Sequence, residues 1–340
     1  MGIVMHVTIL VPGCGFPSTV VGPLEVFNNT GFIWNTLMGD HPAMPFEVET
    51  ASDSGNPVVY ADGVTISPDK SVAQVRHTDL VFATTIGLDF DSVIAANPGM
   101  VRLIRREAKR GTMIAGVCSG VAMLAEAGVL DGRRATTHWA LAEQFRERYP
   151  NVDWQPQLFI TESDNIFCGG GVYAALDLCL HLVERMAGYD AARQCGRALL
   201  IDSPRTWQAG FAMPKLKQQH RDERIQQVQD HLHQSFSQVL TVEKMAQLAG
   251  MSTRNFTRRF KQATGESPLG YLHKVRIDCA KHLLESDFRS VQEVCFEVGY
   301  EDLPHFRKLF KRHTGLCPTE YKARFGGRKP ERSHAAVRIA

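Results

Sequence analysis

A chain of 340 residues exceeds what one ordinary hydrophobic core organises, so length alone predicts about two domains. Its 44% hydrophobic and 22% charged residues exclude wholesale disorder, and no run approaches the ~18 uncharged apolar residues of a membrane span. The net charge of +2 hides an asymmetry: residues 1–214 carry 15 Lys+Arg against 22 Asp+Glu, a net of −7, whereas residues 215–340 carry 23 against 14, a net of +9. A basic segment joined to an acidic one predicts that only the second part meets a polyanion.

In chain order, the opening run MGIVMHVTILVPG is apolar but lacks a basic lead and a small-residue cleavage site, so it predicts a first strand and not a secretory signal. Eight cysteines, at 14, 118, 168, 179, 195, 279, 295 and 317, lie scattered in apolar segments without a C-x-x-C pair. That usage predicts reduced thiols, a cytoplasmic location and no zinc site; no metal and no cofactor are expected elsewhere in the chain. Further short β-rich runs, FEVETA, DLVFA, TMIAGV, RATTH and QLFITE, are separated by helical patterns such as NPGMVRLIRREAKRG. The alternation predicts an α/β domain on a mostly parallel sheet.

Between TMIA and the helical pattern VAMLAEAG stands GVCSG, Gly116 to Gly120. A G-x-nucleophile-x-G turn lifts its central side chain above the sheet edge. The flanking glycines relieve crowding, and the following helix N-terminus offers backbone N–H donors. Cys118 is therefore predicted where a thiolate is favoured and an anion can be cradled; the plainer reading is a buried structural cysteine. Farther on, Val172, Ala175, Leu176, Cys179, Leu182, Val183 and Met186 recur at helical spacing, and this apolar stripe reads as core in preference to a dimer face.

The stretch AGVCSGVAMLAEAGVLDGRRATTHW, with GPLEVF at 22–27, resembles the PfpI-like branch of the class I glutamine amidotransferase-like superfamily, over residues 4 to about 187. The resemblance implies a flavodoxin-like αβα sandwich. It also implies that Cys118 and His138, the latter ending a later strand, face one pocket, with Gly87 of TTIGLD in the oxyanion loop. Three positions depart from the family. Ser119 stands where its proteases have a histidine, and His181 and Glu184 are one residue too far apart for the amidotransferases' His-x-Glu pair. Ser18 and Thr19 occupy the first loop, where members with a reactive cysteine often carry a carboxylate.

Nucleophilic catalysis needs a base and a group that orients it. With half of that set visible, the first part reads as a sensing domain whose pocket includes Cys118, Ser119, His138 and Gly87, with no catalytic residue. The alternatives are a thiol-dependent hydrolase or glyoxalase-like enzyme, and a redox sensor acting through an exposed Cys118 thiolate.

SPRTWQAGFAMPKLKQQH, residues 203–220, has two prolines, a glycine and no periodicity, and predicts a linker over 203–217 between a domain at 1–202 and another at 218–326. The second domain repeats itself: FKQATGESP at 260–268 returns as FKRHTGLCP at 310–318. Phe256 pairs with Phe306, Phe260 with Phe310, Gly265 with Gly315 and Pro268 with Pro318, all fifty apart, while Gly250 and Gly299 are forty-nine apart. This is an internal duplication.

Each copy has the parts of a helix-turn-helix. In the first, TVEKMAQLAG gives a helix capped by Thr241 and broken by Gly250; Ser252 can cap the next, whose Phe256 and Phe260 face the core and which Gly265 ends. Its outward face carries Arg254, Asn255, Thr257, Arg258 and Lys261. In the second, Phe306 and Phe310 face inward and Leu303, Pro304, Arg307, Lys308 and Lys311 outward. A helix from Leu269 to Glu285, apolar at Val275, Cys279, Leu283 and Leu284, joins the units. Two such helices on a rigid connector can enter successive major grooves about 34 Å apart, with arginines reading guanine edges and lysines holding phosphates.

AGMSTRNFTRRFKQATGESPLGYL and VGYEDLPHFRKLFKRHTGLCPTEYKARF resemble the two signatures of the DNA-binding domain of AraC/XylS-type transcription regulators, over about Gln218 to Phe325. The resemblance implies an all-α domain bound to double-stranded DNA. Base contacts fall to Arg254, Asn255, Thr257, Arg258, Leu303, Pro304, Arg307 and Lys308, and phosphate contacts to Ser252, Lys261 and Lys311. Pro304, where the family usually has a polar residue, donates no hydrogen bond and predicts weaker specification by the second helix.

Regulators joining two such domains often respond to amino acids or quaternary amines, so a small-molecule effector, a homodimer formed through the first domain and a contact with RNA polymerase are implied. The H-x-H at His231 and His233 puts two side chains in divergent directions on a helix and predicts surface histidines, not a metal site. GGRKPERSHAAVRIA reads as a flexible tail at 327–340.

Overall fold

The β-rich runs of the acidic part pair as their alternation requires. A computed structural model of the chain describes residues 4–202, 208–211, 220, 222–286 and 289–326. The tail expected at 327–340, and most of the linker expected at 203–217, lie outside the described residues. The chain divides into two units, Met1–Ala209 and Gly210–Ala340.

In the first unit, seven strands form one sheet in the spatial order Ile160–Ser163, Ile166–Gly169, Met113–Val117, Leu80–Ala83, Met5–Leu10, Phe46–Ser52 and Lys70–Ser71. Every neighbouring pair is parallel except the first, an antiparallel hairpin at the edge. Alternate strand residues go to opposite faces, and both faces are buried. Val7, Ile9, Leu80, Phe82, Ala115, Val117 and Phe167 pack beneath Val20, Phe27, Leu178 and Leu182 of the helices Ser18–Asn29 and Ala174–Ala187. Leu10, Val81, Ala83, Ile114 and Cys168 pack against Met100, Leu103, Ile104 and Leu124 of Pro98–Lys109 and Val121–Glu126. The result is the three-layer, flavodoxin-like sandwich. The stripe beginning at Val172 is core: Ala175, Cys179, Leu182 and Val183 are all buried.

The RATTH run departs from expectation. Only Arg134–Ala135 is strand, paired with Asp153–Trp154 in a separate two-stranded sheet. The threonines that follow send their hydroxyls to backbone carbonyls elsewhere, Thr136 to Leu158 at 2.9 Å and Thr137 to Cys118 at 2.8 Å, which turns the chain away from a ladder.

The second unit is helical throughout its described residues: Glu223–Ser235, Val242–Leu248, Thr253–Thr264, Pro268–Ser286, Val291–Glu297, Leu303–Thr314 and Pro318–Phe325. Thr241 caps its helix by accepting from the Lys244 N–H, and Ser290 with Glu293 forms the equivalent capping box in the second copy. Gly265 and Gly315 end the paired helices in the left-handed conformation, at φ of 76° and 81°.

Two cores result. Phe256 and Phe260 pack with Met245, Leu272 and Val275; Phe306 and Phe310 pack with Val294, Ile277, Ala280 and Leu284. The Pro268–Ser286 helix thus serves both cores, as a connector must. All four phenylalanines are fully buried, each burial contributing about 2–3 kcal/mol. Among the described residues no helix is long and apolar enough to cross a membrane.

Candidate functional site

In an open parallel sheet the crevice lies beyond the carboxyl ends of the strands, where the strand order reverses. Here the reversal falls between Met5–Leu10 and Leu80–Ala83. The loops leaving these two strands interlock. A Cβ at Gly15 would fall 2.2 Å from the Thr85 carbonyl oxygen, the Phe16 N–H donates to the Thr85 hydroxyl at 2.8 Å, and Thr19 and Thr85 share a hydroxyl hydrogen bond at 2.9 Å. Thr19, the residue standing in place of a carboxylate, is a buried stitch between loops.

The GVCSG turn closes against the same place. Cys118 has φ of 55°, a left-handed conformation that costs a side-chain-bearing residue about 1–2 kcal/mol. Its neighbours hold it there: its carbonyl accepts from the Thr137 hydroxyl at 2.8 Å and from the Val121 N–H, and the Ser119 hydroxyl accepts from the Ile86 N–H at 3.0 Å. Gly87, also left-handed at φ of 73°, lies so close to Cys14 that a Cβ would approach its sulfur to 2.8 Å. His138 begins a 3-10 turn three residues beyond its strand, its ring lies tilted against Trp139 at 5.3 Å, and it accepts on Nδ1 from the Ala140 N–H at 3.2 Å. Gly171 lies against its ring. Hydrogen bonds therefore tie the segments bearing Cys118, Ser119, Gly87 and His138 into one cluster. His181 stands apart, bonded to Glu162 of the edge strand at 2.9 Å.

The electrostatics overturn the expected thiolate. Cys118 is buried, and burial pushes its thiol up to about 11, outweighing the opposing hydrogen bond from the Ser119 backbone. The helix that follows runs only from Val121 to Glu126 behind a 3-10 turn, too short a dipole to offset desolvation. Burial likewise lowers the His138 pKa, which favours the neutral ring. A protonated thiol and a neutral imidazole on joined segments offer polar groups without an ion pair. It follows that native Cys118 reacts with iodoacetamide at pH 7 about a hundredfold more slowly than a thiol of ordinary pKa. Its rate should gain about tenfold per pH unit until the raised pKa is reached. Peptide mapping after timed labelling measures this; labelling at the rate of a free thiol would restore the thiolate.

One contributor was invisible in the sequence. Gln208, inside the expected linker, is buried against this cluster. Its side-chain amide donates to the Thr136 hydroxyl, the Thr137 carbonyl and the Leu158 carbonyl at 2.7–3.1 Å and accepts from the Trp139 N–H. A Cβ at Gly170 would collide with it. A glutamine between prolines, in a stretch without periodicity, carries no signal of such packing.

In the second unit, Arg254, Arg258 and Lys261 are exposed on one face of Thr253–Thr264, with Asn255 and Thr257 half-buried beside them. Arg258 donates to the Asn255 side chain at 3.2 Å. Arg259, half-buried, is instead paired with Asp222 at 2.8 Å. Ser252 occupies the N-cap position, yet its hydroxyl makes no cap bond, which corrects the expected capping and leaves that group on the exposed edge. On Leu303–Thr314, Pro304, Arg307, Lys308 and Lys311 are exposed, and Pro304 lies in the first turn as its missing N–H requires. Leu303, expected to face outward, is half-buried and packs partly against the second core, which takes up the apolar side chain at the start of the helix. His233 bonds the Tyr271 hydroxyl at 2.9 Å.

Comparison with known proteins agrees with both halves. The DJ-1/PfpI family model matches residues 18–185, and a helix-turn-helix domain model matches residues 245–324. The chain is 27% identical over 322 residues, 93% of its own length and 90% of the relative's, to the HTH-type transcriptional regulator CdhR of Pseudomonas aeruginosa. It is 29% identical over 288 residues, 84% of its length and 85% of the relative's, to the HTH-type transcriptional regulator GlxA of Rhizobium meliloti. Among solved structures, a THiJ/PfpI family protein from Pseudomonas syringae matches with a TM-score of 0.51 at 21% identity, over 74% of this chain and 92% of that one, a likeness of fold. With a DJ-1/PfpI sandwich in front and an AraC-type double helix-turn-helix behind, the chain is a DNA-binding transcriptional regulator of the kind that joins these two domains.

Proposed function

We propose that the first unit is a sensor, not an enzyme, and that a small molecule seated at Cys118, Ser119, His138 and Gly87 controls how the second unit engages its operator. The observation carrying this reading is a Cys118 thiol kept protonated by burial and a His138 ring kept neutral by burial, on segments joined by the hydrogen bond from the Thr137 hydroxyl to the Cys118 carbonyl. Such a pair has hydrogen-bonding capacity but no activated nucleophile. The effector class is an amino acid or a quaternary amine. The sensing domain spans 1–202 with Gln208 attached, and the DNA-binding domain 218–326. The chain works in the cytoplasm as a homodimer joined through its first unit, and it contacts RNA polymerase.

Thermal-shift measurement of the full chain against amino acids and quaternary amines tests the sensor. A ligand at a hundred times its Kd stabilises by about 2.7 kcal/mol, which raises the first transition by roughly 5–10 °C. Cys118→Ala and His138→Ala should each abolish the shift while duplex binding persists. A shift that survives both substitutions removes this crevice from the reading. Substrate turnover lost in Cys118→Ser would replace the sensor with an enzyme.

A further inference from the structure

The duplication is not symmetric where the two copies meet the connecting helix. A Cβ placed on Gly250, in the turn of the first copy, meets nothing within 4 Å. Placed on Gly299, its counterpart in the second, it would fall 2.5 Å from the Ser237 carbonyl oxygen and 2.8 Å from the Ser237 Cα. The second turn therefore rests directly on the backbone that leaves the Glu223–Ser235 helix. The residue after each glycine differs too: Met251 in the first copy, Tyr300 in the second.

Arg276, buried in the middle of the connecting helix, fastens this joint. Its Nε donates to the Phe236 carbonyl at 2.8 Å and a terminal nitrogen donates to the Gln238 carbonyl at 2.9 Å, on either side of Ser237. The same guanidinium lies 5.0 Å over the Tyr300 ring. Tyr300 is buried, its hydroxyl bonds His273 Nδ1 at 2.9 Å one turn back on the connector, and its ring meets Phe306 of the second recognition helix at 5.5 Å. Phe236 packs against both cores. One planar cation thus binds two carbonyls of the segment that leads into the first copy and one ring of the second. Arginine's rigid fork suits that task and a flexible ammonium does not.

We propose that Arg276 is a positioning residue that fixes the separation and angle of the two recognition helices, so that one chain accepts its two DNA boxes at a single spacing. This rests on the reading that both helices engage the same duplex. Each inserted base pair turns a box by about a tenth of a helical turn, so a rigid pair loses one contact set whereas a loose pair adapts.

The test uses the full chain and a duplex that the wild type selects from a random pool, with one base pair inserted or removed between its two protected boxes. Wild type should lose at least about tenfold in affinity on either change. Arg276→Ala should lose less than about threefold, and Gly299→Ala, which forces the second turn off Ser237, should relax the spacing likewise. Arg276→Gln keeps a donor for one carbonyl and takes the place of Arg276→Ala should the latter not fold. A folded Arg276 variant with the wild-type spacing penalty overturns the proposal. A wild-type footprint of one box overturns the two-helix reading and the proposal with it, an outcome distinct from the first.

Discussion

Gly120→Ala is expected to destabilise the first unit by at least about 3 kcal/mol, at or beyond the upper end of ordinary overpacking. The backbone at Gly120 is helical, so conformational strain is not the cause. The collision is with main chain: a Cβ there would lie 2.0 Å from the Thr84 carbonyl oxygen and 2.9 Å from that of Ala83. Neither can retreat, because the loop is pinned by the Thr84 hydroxyl on the Leu10 carbonyl, the Thr85 N–H on Thr19 and the Ile86 N–H on Ser119. For a unit of this size the loss lowers the first melting transition by roughly 6–12 °C and leaves duplex binding by the second unit in place. Gly13→Ala, whose Cβ has room, serves as the control. Unfolding of Gly120→Ala within about 1 kcal/mol of wild type would mean that the elbow is not held as described.

That glycine also marks how far the sequence could be read. The alternation of short β-rich runs with helical patterns announced the parallel sheet covered by helices, because strands apolar on both faces, such as those holding Ile9 and Leu10 or Val81 and Phe82, need a helical layer on each side. The fifty-residue echo placed Phe256, Phe260, Phe306 and Phe310 in two cores because helical spacing and glycine caps are local signals. What stayed hidden was set by competition or by distance along the chain. The Cys118 thiol responds to a helix end, which the sequence announces, and to burial, which it does not, and burial wins. Ser252 has the residue type of a cap without the bond, and Leu303 is half-buried against the second core where Pro304 and Arg307 are exposed. Gln208 reaches Thr136 across 72 positions, and Arg276 reaches Phe236 across 40; no local pattern encodes either.

Replacing Arg254 and Arg258 together with alanine is expected to have the larger effect on function. The two guanidiniums are exposed, lie four residues apart on one helical face, and offer forked donors of the kind that pair with guanine O6 and N7. Each such contact contributes about 1–3 kcal/mol of discrimination. The two positions are one turn apart on the same face, so their losses need not add in full, and the pair should cost about 2–4 kcal/mol, roughly thirty- to a thousandfold. Both side chains lie outside the core formed by Phe256 and Phe260, so the fold should be retained.

The loss should fall on sequence preference more than on general attraction to DNA, because the remaining exposed cations of the second unit, Lys261 and Lys311 among them, keep their attraction for a polyanion. The most direct measurement is therefore the ratio of affinities for a selected duplex and a random duplex, at physiological salt, for the wild-type chain and for the Arg254→Ala, Arg258→Ala chain. The wild type should prefer the selected duplex by about 10³-fold or more, and the double variant should lose most of that preference while still binding both weakly. An undiminished ratio in the double variant, or a wild-type chain that does not distinguish the two duplexes, would contradict the account.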